Sequence, residues 1–144
     1  MRRELIGRKQ FGGLIDITDP CYDRDVRCRS TAAVKDGLYD CIVWRTNSNQ
    51  VGIIGIYLNG NIPAQGDMKP VATIGVDAGL AGFFINKPDY NDEEWKSFCN
   101  RLQDSDAWII DEGFFSTSGD GDGLYDVFAN KQKGEIAALE IRFM

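Results

Sequence analysis

The pentapeptide Asp-Gly-Leu-Tyr-Asp occupies residues 36–40 of this chain and occurs again at residues 122–126. Each copy leads into residues that alternate between apolar and polar, which is the pattern of a half-buried β-strand, and each is followed by a turn and a further strand. We therefore predict that each copy begins a β-hairpin. The chain would then consist of two related antiparallel β-meander halves, at about residues 11–60 and 70–144.

Two aspartates upstream of the pentapeptides extend this comparison. Asp19 ends an apolar strand in the first half, and Asp77 ends one in the second half. The two aspartates are 58 residues apart, whereas the two pentapeptides are 86 residues apart. The difference of 28 residues is about the size of the segment that holds a predicted helix, so this helix would be an insertion in the second half. Chance recurrence of a short segment is the alternative.

Further apolar runs bounded by turn-forming residues predict the remaining strands. In the last of them, Ala137, Leu139 and Ile141 alternate with Glu140 and Arg142. This alternation predicts one face on the core and one face in water. The predicted strands cover residues 14–18, 38–45, 51–58, 71–76, 81–85, 107–110, 113–117, 124–129 and 137–143.

One segment has the pattern of an amphipathic helix, at about residues 91–104. Asn91 can cap its first turn, and the acidic residues 92–94 place negative charge at the positive end of the helix dipole. Its apolar residues fall on one stripe. We predict that this stripe packs on the sheet, and a groove for a partner is the alternative. The stripe consists of Trp95, Phe98, Cys99 and Leu102.

Together these patterns predict one domain over residues 1–144, mainly β (α+β), in which the two meanders form a sandwich or a partly open barrel with one packed helix. Hydrophobic residues make up 43% and charged residues 26% of the chain, as in ordinary globular proteins. No run approaches the roughly 20 apolar residues of a membrane span, so no membrane partner is expected. The basic start at Arg2 and Arg3 lacks an apolar run behind it, which predicts a cytoplasmic location.

Charge and composition exclude several classes of function. The net charge of −6 disfavours non-specific binding of nucleic acid, which depends on Lys and Arg contacts to phosphates. The absence of histidine excludes Ser-His-Asp and Cys-His catalysis. Cys41 and Cys99 are predicted to be buried, and Cys21 and Cys28 flank a charged loop. Four reduced, inert thiols are expected, and a Cys21–Cys28 link or metal pair is the alternative.

The glycine-rich loop at residues 116–123 (Ser-Thr-Ser-Gly-Asp-Gly-Asp-Gly) is the strongest local signal for a binding site. Alternating glycines allow a ligand to approach the backbone closely, and carboxylates suit Ca²⁺ or Mg²⁺. The loop lacks the residue order of an EF-hand and the Gly-Lys-Ser/Thr ending of a phosphate-binding loop. A plain glycine-rich turn is the alternative.

If a pseudo-twofold axis relates the halves, Asp19 with Asp36 and Asp77 with Asp122 form two equivalent pairs. Crowded carboxylates require a cation, a proton or hydrogen-bond donors. The alternative is that each aspartate caps a turn through backbone N–H groups. The candidate metal ligands, for Mg²⁺ or Ca²⁺, are Asp19, Asp77 and Asp122. The wider predicted ligand-binding set is Asp19, Tyr22, Asp77, Gly79, Ser118, Gly119, Gly121, Asp122 and Tyr125.

Several of these motifs, taken together, resemble a bacterial and phage family of uncharacterised proteins. The resemblance extends from about Ile15 to Phe143 and implies a shared β-rich fold, but the family implies no known activity. Asp120 departs from the family pattern, in which an aromatic or small residue is expected, so the resemblance does not support Asp120 as a ligand. The motifs are residues 19–22 (Asp-Pro-Cys-Tyr), 75–82 (Gly-Val-Asp-Ala-Gly-Leu-Ala-Gly), 118–123 with Tyr125, and the hairpin 134–143.

Two functional hypotheses follow from the sequence. The first is a protein that binds a small ligand or divalent cation at the Asp/Gly-rich site; as an enzyme, it would carry out metal-assisted hydrolysis, in which an aspartate takes a proton from metal-bound water. The second is an acidic protein-interaction module of the immunity or phage counter-defence type. An acidic face can cover a basic active site or mimic nucleic acid. The expected partner is therefore a small molecule under the first hypothesis and a protein under the second.

Overall fold

A computed structural model of the chain describes residues 1–21, 30–85, 92–101, 105–119 and 121–143. These residues are mainly β, which confirms the predicted class. The strands are β1 (Arg2–Thr18), β2 (Ser30–Arg45), β3 (Val51–Leu58), β4 (Lys69–Val76), β5 (Leu80–Phe84), β6 (Ala107–Ile110), β7 (Gly113–Thr117), β8 (Gly123–Gln132) and β9 (Glu135–Arg142). A helix, α1, spans Asp92–Arg101, and a short 3₁₀ turn spans Gln65–Asp67.

All nine strands belong to one open sheet, in the order β4-β8-β9-β3-β2-β1-β5-β7-β6. Neighbours in this order are antiparallel, and one parallel bridge joins Val34 of β2 to Ile136 of β9. The structure therefore has one continuous open sheet in place of the predicted sandwich or partly open barrel. The β1–β2 ribbon lies between its two parts, β4-β8-β9-β3 on one side and β5-β7-β6 on the other.

The β1–β2 ribbon is much longer than predicted. Strand β1 begins at Arg2 and β2 at Ser30, and their pairing shifts register between Leu5 and Gly7 and again between Phe11 and Gly13. Strand β3 pairs with the Tyr39–Arg45 part of β2, whereas β5 pairs with β1 near Ile17. Register shifts bend a ribbon, so the two parts of the sheet leave the ribbon at different places along its length.

The sheet curls so that its two ends enclose one core. The main buried cluster combines Phe83 and Phe114, from β5 and β7, with Ile74, Val127 and Ile141, from β4, β8 and β9 on the other side of the ribbon. Edge strand β6 also packs against β1. Cδ1 of Ile109 in β6 would lie 2.7 Å from a Cβ atom built on Gly7 of β1. Burial of this shared core is the main stabilising contribution to the fold.

The outer face over β3 is also covered, which corrects the prediction that Glu140 and its neighbours face water. Ala138 and Glu140 are only 1% and 5% exposed. The chain that follows β3 lies over this face and contributes Ile62 and Met68 to a second apolar cluster with Tyr57. The alternation of apolar and polar residues identified the two faces of β9 correctly. It cannot reveal that another segment of the chain covers the polar face.

Helix α1 lies within the predicted range of 91–104. Leu102 and the side chains of Trp95, Phe98 and Cys99 lie outside the described residues. The packing of their apolar stripe on the sheet therefore stays a prediction.

The two copies of the pentapeptide share local geometry. Gly37 and Gly123 have φ values of 157° and 159°. The Tyr39 hydroxyl donates to the carbonyl of the residue four positions upstream (2.6 Å), and the Tyr125 hydroxyl does the same (2.7 Å). However, Gly37 pairs with Phe11 whereas Gly123 pairs with Val76. If the two hairpins are superimposed by this register, Asp77 falls opposite Gly12 and not Asp19, so the strand pairing does not support the predicted equivalence of Asp19 and Asp77.

Candidate functional site

The structure brings several residues of the predicted site together around Asp19, and it shows what this side chain does. Asp19 is fully buried. One carboxylate oxygen accepts the backbone N–H of Cys21 (2.8 Å), and the other accepts those of Asp77 (2.9 Å) and Ala78 (2.7 Å). Asp19 thus joins the end of β1 to the turn after β4, as a turn-capping aspartate does.

Hydrogen bonds connect this turn to the glycine-rich loop. The backbone N–H of Ser118 donates to the Gly79 carbonyl (2.9 Å). The Gly121 carbonyl accepts from the Ser118 hydroxyl (2.5 Å) and from the Tyr125 hydroxyl (2.7 Å). Gly119 has a φ of 64°, and a Cβ there would collide with the Val51 carbonyl oxygen, so this position needs glycine. Contacts within the loop and with Gly79 and Val51 therefore hold its described residues in place.

The predicted carboxylate cluster does not assemble. Asp36, Asp77 and Asp122 are exposed, and Asp77 meets Asp19 through its backbone N–H. Within the described ranges, no group of three or more His, Cys, Asp or Glu side chains is placed to hold a metal ion. The three hydrogen bonds to Asp19 supply the donors that a buried carboxylate requires. The predicted Mg²⁺ or Ca²⁺ site therefore has no structural support, and Tyr22 lies outside the described residues.

A second feature, which the sequence did not predict, is a cavity of about 250 Å³ on the outer face of β2, β3 and β9. We call it the outer-face cavity. Its walls are mainly apolar, but one of them holds the buried carboxylate of Glu140. Apolar pockets with a few polar groups are typical of small-molecule sites. The lining residues are Met1, Trp44, Ile53, Ile62, Pro63, Gln65 and Glu140.

A short hydrogen-bond chain runs along the floor of the outer-face cavity. The indole N–H of Trp44 donates to the Tyr57 hydroxyl (2.9 Å), which donates to Oε2 of Glu140 (2.6 Å). Burial raises the pKa of Tyr57, and the negative charge of Glu140 raises it further. The raised pKa keeps the Tyr57 hydroxyl protonated at neutral pH, so it can donate to Oε2 of Glu140.

Arg142 supports Glu140 from the other side. Its Nε and Nη2 atoms donate to Oε1 of Glu140, at 3.1 and 3.0 Å, and its guanidinium lies 3.7 Å from the centre of the Phe128 ring. A buried carboxylate is tolerated when it is paired and hydrogen-bonded. Glu140 is thus held in one position by Tyr57 and Arg142.

Gly55 makes room for this arrangement. It lies in β3 directly between Ile42 of β2 and Glu140 of β9. The Tyr57 ring lies over Gly55, because a Cβ built there would be 2.6 Å from the Tyr57 Cζ atom. The ring can therefore lie along the strand and direct its hydroxyl between Trp44 and Glu140.

The sequence did contain one signal for the outer-face cavity. All eight residues of β3 are buried, and the run Val-Gly-Ile-Ile-Gly-Ile-Tyr-Leu at 51–58 is apolar without alternation. Such a run is typical of a strand that is covered on both faces. If β3 is covered on both faces, then polar residues beside it on β9 are candidates for a buried polar site.

A second charge cluster, around the buried Arg45, helps to hold the fold together. The Arg45 guanidinium forms a bidentate pair with Asp106 (2.6 and 2.9 Å) and contacts the Glu4 carboxylate at 3.2 and 3.3 Å. A further donor reaches the Asn49 carbonyl. The hydrogen bonds from Arg45 lower the pKa of Asp106. This cluster ties β1 and β2 to the segment before β6.

No protein-family model matches this sequence, and neither a curated protein nor a solved structure is similar enough to match it. The resemblance to the bacterial and phage family therefore stays a prediction. In the part of the chain that the structure describes, no helix is long and apolar enough to cross a membrane.

Proposed function

We propose that this protein binds a small organic ligand in the outer-face cavity. The observation that carries the proposal is the buried carboxylate of Glu140, held rigidly by Tyr57 and Arg142 at the wall of an otherwise apolar pocket. Rigid polar groups in apolar surroundings determine the orientation of a bound ligand. This retains the small-ligand hypothesis but moves the binding site away from the Asp/Gly-rich loops.

A fragment screen by ligand-observed NMR tests the proposal. Fragments that bind the cavity should lose affinity in Trp44→Phe, because the smaller ring removes part of the apolar wall. Trp108→Phe is the matched control, since Trp108 stacks on Phe115 in a different cluster. If no fragment binds, or if the two variants weaken every hit equally, the proposal is wrong.

The divalent-cation form of the first hypothesis, including metal-assisted hydrolysis, remains testable by calorimetry with Mg²⁺, Ca²⁺ and Mn²⁺. Binding that Asp77→Ala abolishes would support it. Binding that is absent, or unaffected by this change, would remove it. The hydrogen bonds of Asp19 to three backbone N–H groups favour a structural role for this carboxylate instead.

One observation favours the interaction-module hypothesis as a second candidate. Leu124 is 76% exposed and lies between Asp122 and Asp126 in the chain, which are also exposed. An apolar side chain flanked by acids suits a partner surface that is basic around an apolar pocket. A stoichiometric protein partner that is lost in both Leu124→Ser and Asp122→Asn would support this hypothesis.

We also propose that the two meanders, β1-β2-β3 and β4-β8-β9, arose by internal duplication. In each, the last aspartate of the pentapeptide binds the residue directly opposite it: Asp40 accepts from Arg8, and Asp126 accepts from Thr73. Each tyrosine hydroxyl donates to the carbonyl four positions upstream, so loss of this shared hydrogen bond in Tyr39→Phe and in Tyr125→Phe should each destabilise the protein by about 1 kcal/mol. Losses that differ by more than about that amount would count against the proposal.

A further inference from the structure

We infer that the ligand of the outer-face cavity carries a positively charged nitrogen, as an amine or amidine does, which donates a hydrogen bond to Glu140. This inference rests on the proposed function. Among the side chains that line the cavity, Glu140 carries the charge and Gln65 is the other polar group. The remaining lining side chains are apolar, so Glu140 is the charged side chain that a ligand in the cavity would meet.

The hydrogen bonds of Glu140 leave room for a further donor. A carboxylate offers about four acceptor positions. Within the described residues, Tyr57 fills one of them on Oε2, and Nε and Nη2 of Arg142 fill two on Oε1. About one position is left, on Oε2, the oxygen that Tyr57 also binds. A ligand N–H can take that position, whereas a ligand carbonyl or carboxylate oxygen would face an oxygen that bears negative charge.

The donors of the neighbouring side chains are already engaged. The Trp44 indole N–H donates to Tyr57, and the Tyr57 hydroxyl hydrogen is directed at Glu140. The guanidinium of Arg142 lies over Phe128 on the β8 side, and Arg142 is not among the residues that line the cavity. The side chains of Trp44, Tyr57 and Arg142 therefore offer an anionic ligand no free donor that faces the cavity.

The aromatic wall favours a cation as well. Trp44 lines the cavity together with Ile53, Ile62 and Pro63. An indole ring attracts a cation that lies over its face, and the attraction is strongest where water is excluded. The net charge of −6 adds a weaker, long-range attraction for cations.

The size of the cavity limits the ligand. A volume of about 250 Å³ corresponds to roughly eight water molecules at about 30 Å³ each. A ligand with about eight non-hydrogen atoms, such as benzylamine, is therefore a suitable probe. Its ring can contact Trp44 and Ile53 while its ammonium group reaches Glu140.

The experiment compares benzylamine with two probes of similar shape, benzyl alcohol and benzoate, by NMR titration of the wild-type protein at neutral pH. A charged hydrogen bond in a buried site is expected to make benzylamine bind roughly tenfold or more tightly than benzyl alcohol. Benzoate should bind more weakly than either. Glu140→Gln keeps an acceptor for Tyr57 but removes the charge, so it should abolish most of the preference for benzylamine.

Glu135→Gln is the matched control, because Glu135 is an exposed carboxylate on the same strand, and it should leave the preference unchanged. If benzyl alcohol or benzoate binds as tightly as benzylamine, the inference about charge is overturned while the ligand site stands. If none of the three binds and the fragment screen is also empty, the proposed function fails. If Glu140→Gln does not fold, the preference of the wild-type protein among the three probes still decides.

Discussion

Replacing Gly55 with alanine should destabilise the protein, because the Tyr57 ring occupies the space that a methyl group would need. A Cβ at position 55 would lie 2.6 Å from Cζ and 2.8 Å from Cε2 of Tyr57. Ordinary carbon contacts are about 3.5 Å or longer. The ring would have to move by roughly 0.9 Å, which is enough to weaken or break both hydrogen bonds of its hydroxyl.

The loss of these two hydrogen bonds determines how much Gly55→Ala should destabilise the protein. The bond to Glu140 involves a charged acceptor, which contributes about 1.5–3 kcal/mol, and the bond from Trp44 contributes about 1 kcal/mol. Alanine in a strand offsets about 0.5–1 kcal/mol of this loss relative to glycine. We expect the free energy of unfolding of Gly55→Ala to fall by about 2–3 kcal/mol. For a chain of this length, this corresponds to a decrease in melting temperature of about 4–12 °C.

Thermal and urea unfolding followed by circular dichroism measure this change. The matched control is Gly66→Ala, because a Cβ at Gly66 would meet nothing within 4 Å and its φ is not in the left-handed region. It should change the free energy of unfolding by no more than about 0.5 kcal/mol. A Gly55→Ala protein that melts within 1 °C of the wild type, or a Gly66→Ala protein that loses as much, would refute this reasoning.

Three further predictions concern Asp19, Asp106 and Cys41. Asp19→Asn should lower the free energy of unfolding, measured by urea denaturation, by about 2–4 kcal/mol, because the amide NH₂ would face backbone N–H donors. The control Asp77→Asn should change this free energy by less than about 0.5 kcal/mol. Equal losses in the two variants would contradict the capping role of Asp19. The lowered pKa of Asp106 means that its pair with Arg45 stabilises the fold above the ordinary pKa of 3.8 and that this contribution is lost as the pH falls through the lower, folded-state pKa. Accordingly, the stability difference between the wild type and Asp106→Asn should shrink below pH 3.8 in acid titrations, and a constant difference would argue against the ion pair. Burial raises the pKa of the Cys41 thiol to about 12, so it should react with a thiol reagent at pH 8 only after unfolding, and rapid labelling of the native protein at Cys41 would contradict its burial.

Much of the sheet was predictable because the period-2 pattern reports directly on strands. The strands from Leu38 onward follow apolar runs that turn residues delimit. The first part of the β1–β2 ribbon was missed, because Gly7, Gly12 and Gly13 and several charged residues interrupt the pattern before Leu14. Those charged side chains lie on strand residues whose outer face is solvated, a situation that hydrophobicity alone does not distinguish from a loop.

The loops of the predicted site do meet, although β1 and β4 are not neighbours in the sheet, because the sheet curls and its two ends share one core. The sequence associated Asp19 with Asp77 through an assumed pseudo-twofold axis, but it could not reveal that the contact is made by backbone N–H groups. The outer-face cavity was missed for a different reason. Glu140 is buried by a segment from elsewhere in the chain, and only the apolar character of β3 indicated such a cover.

The position of β9 has a consequence for how the protein is made. Strand β9 pairs with β3 on one side and β8 on the other, and β4 joins the sheet through β8. During synthesis, β3 and β4 leave the ribosome long before the hairpin at 123–142 that connects them. The nascent chain must therefore leave one edge of β3 unpaired until β9 has emerged. We expect slow completion of the sheet and a dependence on chaperones when the protein is produced at high levels.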